Sequence, residues 1–295
     1  LTGAAAAGTT MAMQMPPRPP EPARPLGRVW LVANRSSRST DDGAIAAVEA
    51  ALADAGAVIA ERSDFPRDAA PDAAALAAAA IDTLVVMGGD GTLGAASATA
   101  AGWDGQYLAL PGGTMNLLPR ALHGDAAAPA IVVAAAAGRL AHVPVVRAGG
   151  HTSYCRIIVG PLTRWALARE NARHGRLWRV WQAVRLALAR GFVGGVTVAG
   201  QPGRHPGVLI MPTAQGLDVA LFSGAGLADA MAVAVNWLAG DWRAAASVTA
   251  LAAPELLLGR RRTLRCLFDG EARRLPPRTR FVPGWSDLRY ITTLG

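Results

Sequence analysis

The chain has 295 residues, of which 52% are hydrophobic and 17% charged, enough for two modest domains with separate cores; a disulfide-stapled mini-domain and wholesale disorder are excluded. All 29 basic residues are arginine, against 21 acidic ones, for a net charge of +8. Without lysine there is no Walker A loop, no lysine Schiff base and no lysine-dependent protein-kinase site, so any phosphate must be held by arginine, backbone N–H groups, hydroxyls or metal.

The positive surplus fits three partner classes: nucleic acid, an anionic membrane surface or a phosphorylated small molecule. Cys155 and Cys266 lie far apart and read as two reduced, buried thiols. His123, His142, His151, His174 and His205 show no metal-ligand spacing. No apolar run approaches the ~20 residues that span a bilayer.

In chain order, residues 1–25 read as a disordered, proline-rich leader. Val29–Ala33 reads as a strand, followed by a polar loop from Asn34 to Asp42. Ile45, Val48 and Leu52 then mark a helix over 43–55. Next come a strand at Val58–Ala60, an alanine-rich helix over 68–81, a strand at Thr83–Met87, a helix from about Leu93, a strand at Tyr107–Leu110 and a helix from Asn116. This alternation predicts βαβ units and a parallel sheet with helices on both faces, in which ligands bind at the carboxyl ends of the strands. After about Val143 the pattern changes to short strand-like segments at 143–148, 154–159, 193–199, 207–211, 217–222, 255–258 and 263–268. Helical stretches at 161–190 and 227–239 interrupt them. That predicts an antiparallel, sandwich-like second domain.

Four loops carry candidate chemistry. Gly88-Gly89-Asp90-Gly91-Thr92 follows an apolar strand and opens a helix, so its backbone can approach a phosphate closely. Asp90 within it suits a proton or Mg²⁺ better than a bare phosphate. Pro111-Gly112-Gly113-Thr114-Met115-Asn116 stands at the next strand end. Asn34-Arg35-Ser36-Ser37-Arg38-Ser39-Thr40 offers hydroxyls and guanidinium groups. Late in the chain, Phe268-Asp269-Gly270-Glu271 is either an ordinary Asp-Gly turn or a carboxylate pair for base and metal or nucleotide contact.

In this order the four elements resemble the diacylglycerol kinase catalytic-domain family, which includes bacterial lipid kinases and sphingosine kinases. The likeness runs over roughly 28–295. It implies an N-terminal three-layer α/β domain (26–146, joined by 284–295), a C-terminal β-sandwich-like domain (147–283) and a nucleotide site in the cleft between them. It also implies ATP-dependent transfer of the γ-phosphoryl group to a lipid hydroxyl such as that of diacylglycerol, with ATP and Mg²⁺ required. By matching position, Gly88, Gly89, Asp90, Gly91, Thr92, Gly113, Thr114 and Asn116 line the phosphates, together with Asn34 and Ser37. Asp269 matches the catalytic base, Glu271 a nucleotide or metal contact, and Asp90 shares the proton or Mg²⁺ role. Departures from the family are Arg35 and Arg38 in the first loop, Gly94-Ala95 where Asn-Glu is usual, and Gln215-Gly216-Leu217-Asp218 in place of an aspartate-rich metal loop.

A lipid substrate implies a cytoplasmic protein working peripherally at the inner membrane face, without nucleic acid, and a homodimer is compatible with it. The helix at 177–190 sets Leu177, Val180, Trp181, Val184 and Leu188 on one side and arginines elsewhere; it reads either as a contact for an anionic membrane or as a cover on the sandwich. Two other readings stand beside the lipid kinase: an NAD kinase-like enzyme, which also uses GGDGT, and a degenerate protein that binds nucleotide or membrane without catalysis.

Overall fold

The computed structural model describes residues 19–37, 39–161, 163, 195–223 and 248–294. The helical stretches expected at 161–190 and 227–239, including the 177–190 helix, lie outside the described residues apart from Pro161 and Thr163.

The first half builds a parallel sheet because its apolar segments are buried on both faces. Strands β2 (Arg28–Ala33), β3 (Val58–Asp64), β4 (Thr83–Gly88) and β5 (Gln106–Pro111) run parallel in the order β3-β2-β4-β5. Side chains alternate between two cores, as the twofold repeat of a strand requires. Leu31, Val85, Met87 and Leu108 face helices α1 (Asp42–Asp54) and α5 (Ala128–Ala135), while Val32, Leu84, Val86 and Tyr107 face α2 (Ala73–Ala78), α3 (Asp90–Thr99) and α4 (Leu117–His123). Asp41 and Asp72 cap α1 and α2, accepting the N–H groups of Ala44 and Ala75 at 2.8 Å each. The alanine-rich helix expected over 68–81 is confined to Ala73–Ala78, because Pro71 bars a helix that runs through it and the chain enters only at the Asp72 cap.

Three further strands extend this sheet. β18 (Arg289–Thr292), the last of the chain, lies parallel to β5, and β6 (Arg139–Ala141) lies antiparallel to β18. β1 (Glu21–Pro22) pairs with β6, so the end of the segment expected as leader lies against the sheet edge.

The second half is antiparallel. A five-stranded sheet orders β10 (Thr197–Val198), β14 (Leu256–Gly259), β17 (Arg278–Trp285), β7 (Pro144–Ala148) and β8 (His151–Ser153). A six-stranded sheet orders β13 (Val248–Ala253), β12 (Gly216–Phe222), β11 (Gly207–Thr213), β9 (Ile157–Val159), β15 (Leu264–Phe268) and β16 (Glu271–Leu275). Their inner faces close on one core that includes Val146, Phe281, Ile157, Ile210, Val219 and Phe268. The chain thus has the expected class: an N-terminal α/β layer structure and a C-terminal pair of packed antiparallel sheets.

The halves are joined by two crossings that clasp each other. Ser286 and Val143 exchange hydrogen bonds: Ser286 N–H donates to Val143 C=O at 2.8 Å, and Ser286 Oγ accepts from Val143 N–H at 2.9 Å. Tyr154 of the second half stacks toward Tyr290, whose hydroxyl bonds Ser97 Oγ of α3 at 2.7 Å. The first core therefore runs on into the second half through Tyr154 and Cys155.

Candidate functional site

In the parallel sheet, the connection from β2 leads to β3 on one side, while β4 lies on the other. Loops leaving the carboxyl ends of β2 and β4 therefore part, and an open α/β sheet offers its ligand crevice at such a switch point. The loops after β2, β4 and β5 all start there.

Hydrogen bonds lock the three loops together. Asn34 N–H donates to Met87 C=O at 3.0 Å, Gly112 N–H to Gly88 C=O at 2.9 Å and Ser39 N–H to Gly112 C=O at 3.1 Å. Asn34 Nδ2 donates to Thr92 Oγ1 at 2.7 Å. Only glycine fits where the loops touch: a β-carbon on Gly113 would stand 2.6 Å from Gly89 Cα, and one on Gly112 would stand 2.8 Å from Gly88 N. Asn116 takes a left-handed conformation (φ 48°) and turns its Oδ1 back to the Gly113 N–H at 2.7 Å. Helix α3 starts right after Gly89, and the first N–H groups of a helix have no acceptor within it. The surface formed by Gly89–Gly91 and Gly113 is therefore nearly bare backbone at a helix start.

Asp90 opens α3. Its Oδ1 accepts the Leu118 N–H of α4 at 3.2 Å and the Cys155 thiol of the second half at 3.6 Å. Burial raises its pKa above the ordinary aspartate value; the Leu118 N–H, the charge of Arg156 and the Cys155 thiol pull it back.

Asp269 is buried under the same helix. It adopts φ 50° in the β15–β16 turn, and its carboxylate is held by the turn 153–156. Oδ1 accepts from Ser153 Oγ (2.7 Å), Cys155 N–H (2.9 Å) and Arg156 N–H (2.9 Å), while Oδ2 accepts from Tyr154 N–H (2.8 Å). Three donors thus crowd Oδ1, while Oδ2 carries one and keeps a lone pair open. Burial raises the pKa of Asp269, and the same donors oppose that rise. Burial beside two acids also pushes the Cys155 thiol well up, which keeps it protonated and able to donate to Asp90. Asp269 meets α3 closely: a β-carbon on Gly91 would lie 3.0 Å from its carbonyl oxygen, and one on Gly94 would lie 3.0 Å from its Oδ2. A side chain at Gly94 would therefore press on the Asp269 carboxylate, which must give by a few tenths of an ångström to admit it.

The remaining expected site residues fall in different places. Ser37 caps its own turn, its N–H bonding Asn34 C=O at 2.9 Å. Thr92 is buried, and its hydroxyl accepts from Asn34 instead of facing outward. Thr114 is exposed at the loop tip. Glu271 sits on the exposed side of the hairpin and pairs with Arg273 at 2.7 Å rather than turning to the glycine loops. Arg35 is tied to Asp42 and Asp64, and Arg38 lies outside the described residues. Asp218 stands within strand β12 opposite Met211, and among the described residues no three acidic, histidine or cysteine side chains are placed to hold a metal ion. No described helix is long and apolar enough to cross a membrane.

Ser153, Cys155 and Arg156 were not anticipated. The sequence reads 154–159 as one strand, whereas in the structure only Ile157–Val159 (β9) is strand and 154–156 form a turn after β8 whose consecutive N–H groups converge on Asp269. No glycine or proline signals that turn.

Bare backbone at the switch point, with an aspartate from the second, β-rich half buried against the same helix, is an arrangement suited to phosphoryl transfer. Residues 28–148 match the diacylglycerol kinase catalytic domain, so the family seen in the motifs is borne out and the chain carries a kinase domain. Among solved structures, two described as putative diacylglycerol kinases from Bacillus anthracis share the fold. One has a TM-score of 0.65 at 18% identity and covers 90% of this chain and 96% of its own; the other has 0.64 at 17%, covering 90% and 97%. A diacylglycerol kinase structure from the same organism gives 0.61 at 14%, covering 90% and 96%. No curated protein matches the chain in sequence.

Proposed function

We propose that the protein is an ATP-dependent lipid kinase that transfers the γ-phosphoryl group of ATP to a lipid hydroxyl. The observation that carries this reading is the meeting of Gly89, Gly113, Asp90 and Asp269 around the start of one helix. Phosphoryl transfer needs positioning and charge neutralisation more than covalent help. Backbone N–H groups of Gly89–Gly91 and Gly113 would hold the phosphates, since no side chain fits between the loops there.

The site suits Mg²⁺ only as an ion that arrives with the nucleotide. Asp269 is buried and already accepts four hydrogen bonds, which makes Asp90 the carboxylate to hold it, and one or two carboxylates plus substrate phosphates are the usual Mg²⁺ set. When bound, Mg²⁺ supplies charge neutralisation on the phosphate oxygens.

Asp269 serves as the base for the lipid hydroxyl. Of its four donors, three are fixed backbone N–H groups and one is the rotatable Ser153 hydroxyl. Oδ2 accepts from a single donor and so keeps a lone pair able to take a proton. A lipid alcohol then arrives from an anionic membrane surface, to which the net charge of +8 is suited.

The test is incubation with γ-labelled ATP, Mg²⁺ and a mixed lipid extract. Label is expected in a lipid for the wild-type chain and absent for Asp90→Ala. Label in no lipid, or equal label in both proteins, contradicts the reading. In a parallel incubation with NAD in place of the lipid extract, label passing to NAD would support the NAD kinase alternative.

A further inference from the structure

We infer that Arg156 is the cation of the site and binds the terminal phosphate of the nucleotide, doing here what lysine does elsewhere. This rests on the kinase reading above and names the residue that distinguishes a triphosphate from a diphosphate.

With no lysine in the chain, a permanently charged side chain at the phosphates must be arginine. Other arginines near the loops form ion pairs of their own. Arg35 pairs with Asp42 and Asp64, Arg120 with Asp125 on an exposed surface, and Arg147 with Asp287. Arg156 differs because its position is fixed from three sides. Its N–H bonds Asp269 Oδ1 at 2.9 Å, and its C=O accepts the Asp269 N–H at 3.0 Å, so its backbone is anchored to the proposed base. Its Nη1 lies 3.1 Å from the Met115 sulfur, in the loop between Gly113 and Asn116. Its charge is also felt by Asp90 and by Cys155. The guanidinium group is half-buried amid the second glycine loop, the acidic start of α3 and the Asp269 turn.

A thioether is a weak acceptor, so a phosphate oxygen is a stronger partner for Nη1 than the Met115 sulfur. The planar fork can hold two oxygens of one phosphoryl group. Because Asp269 sits one backbone bond away, the phosphate that Arg156 grips is the one nearest the base, which is the group transferred. The reaction balances without a further reactant: the bond between the γ-phosphorus and the β–γ bridging oxygen breaks, that oxygen leaves on ADP, the lipid oxygen bonds phosphorus, and Asp269 takes the hydroxyl proton.

The test is titration of Arg156→Gln and Arg156→Lys with ATP and with ADP, alongside turnover. Both variants keep the backbone N–H that holds Asp269. For Arg156→Gln, ATP affinity should fall about tenfold or more with ADP affinity changed less than about threefold, and turnover should fall about 10²–10³-fold, the usual effect of removing one donor to developing charge. Lysine should restore part of both, as a point charge without the fork. Equal loss of ATP and ADP binding, or an unchanged ratio of the two affinities in both variants, overturns the inference and leaves the kinase reading standing. Failure of the wild-type chain to bind either nucleotide overturns the kinase reading, and this inference with it.

Discussion

The two sides of the site are made by opposite means. On the N-terminal side, Gly88–Gly91 and Gly112–Gly113 present backbone with side chains removed, and the contacts are close because nothing projects. On the C-terminal side, one charged side chain, Asp269, is buried and stabilised by four donors. The first kind of surface tolerates any phosphate-bearing ligand that reaches it. The second is specific and costly, because each lost donor or lost charge leaves a buried partner unsatisfied. Binding should therefore depend chiefly on the glycines and chemistry chiefly on the aspartate.

Replacing Asp269 by asparagine should have the largest effect. The amide NH₂ would face backbone N–H donors, so turnover should drop about 10²–10⁴-fold, with a stability loss of about 3 kcal/mol in denaturant unfolding. If the contrast is real, ATP binding at the glycine loops should survive in the folded fraction. Gly113→Ala should do the reverse. Its β-carbon would meet Gly89 Cα at 2.6 Å and force the loops apart. Nucleotide affinity measured by titration should fall tenfold or more, with overpacking costing about 1–3 kcal/mol.

A pH profile sharpens the same contrast. Burial holds Asp90 and Asp269 above the ordinary aspartate pKa, and both must be ionised to act. Turnover should therefore be lost as pH falls through those raised values, at a higher pH than an exposed aspartate would give. Ser153→Ala removes a hydrogen bond to the ionised form, so the acid limb should move to still higher pH; an unmoved limb would take Asp269 out of the base role.

The smallest expected effect lies away from the site. His123 is buried in α4, its Nδ1 beside Thr293 Oγ1 at 3.1 Å, and burial lowers its pKa to about 4. A depressed histidine adds stability that is present above its unfolded pKa of about 6.5 and is lost as pH falls towards the folded value. Unfolding at pH 7 and 4.5 should differ by about 2–3 kcal/mol more in the wild type than in His123→Gln. Since His123 is in the α/β half, the change should appear there without altering the Asp269 turn.

How far the sequence could be read follows from the same difference. A glycine loop at a strand end has its cause in residue type, because only glycine permits those contacts, and so the segments at 88–92 and 112–116 stand out in one dimension. The apolar runs at 29–33 and 83–87 were legible as strands because both faces are buried. The Asp269 pocket depends on residues 113–116 positions earlier in the chain, and no local pattern marks which backbone N–H groups will point at a carboxylate. Strand β16, Glu271–Leu275, was missed for a related reason: a charged edge strand has only one residue, Leu275, in the core and shows no apolar repeat. Helix α5 was missed because the alanines around it blur the helical period.

Hydrogen exchange with and without ATP tests most directly whether the two surfaces form one site. Added ATP should slow exchange together at 88–92, at 112–116 and in the turn around 269–271. Slowing confined to one of these segments, or absent from all three, would contradict a shared phosphate site between the glycine loops and Asp269.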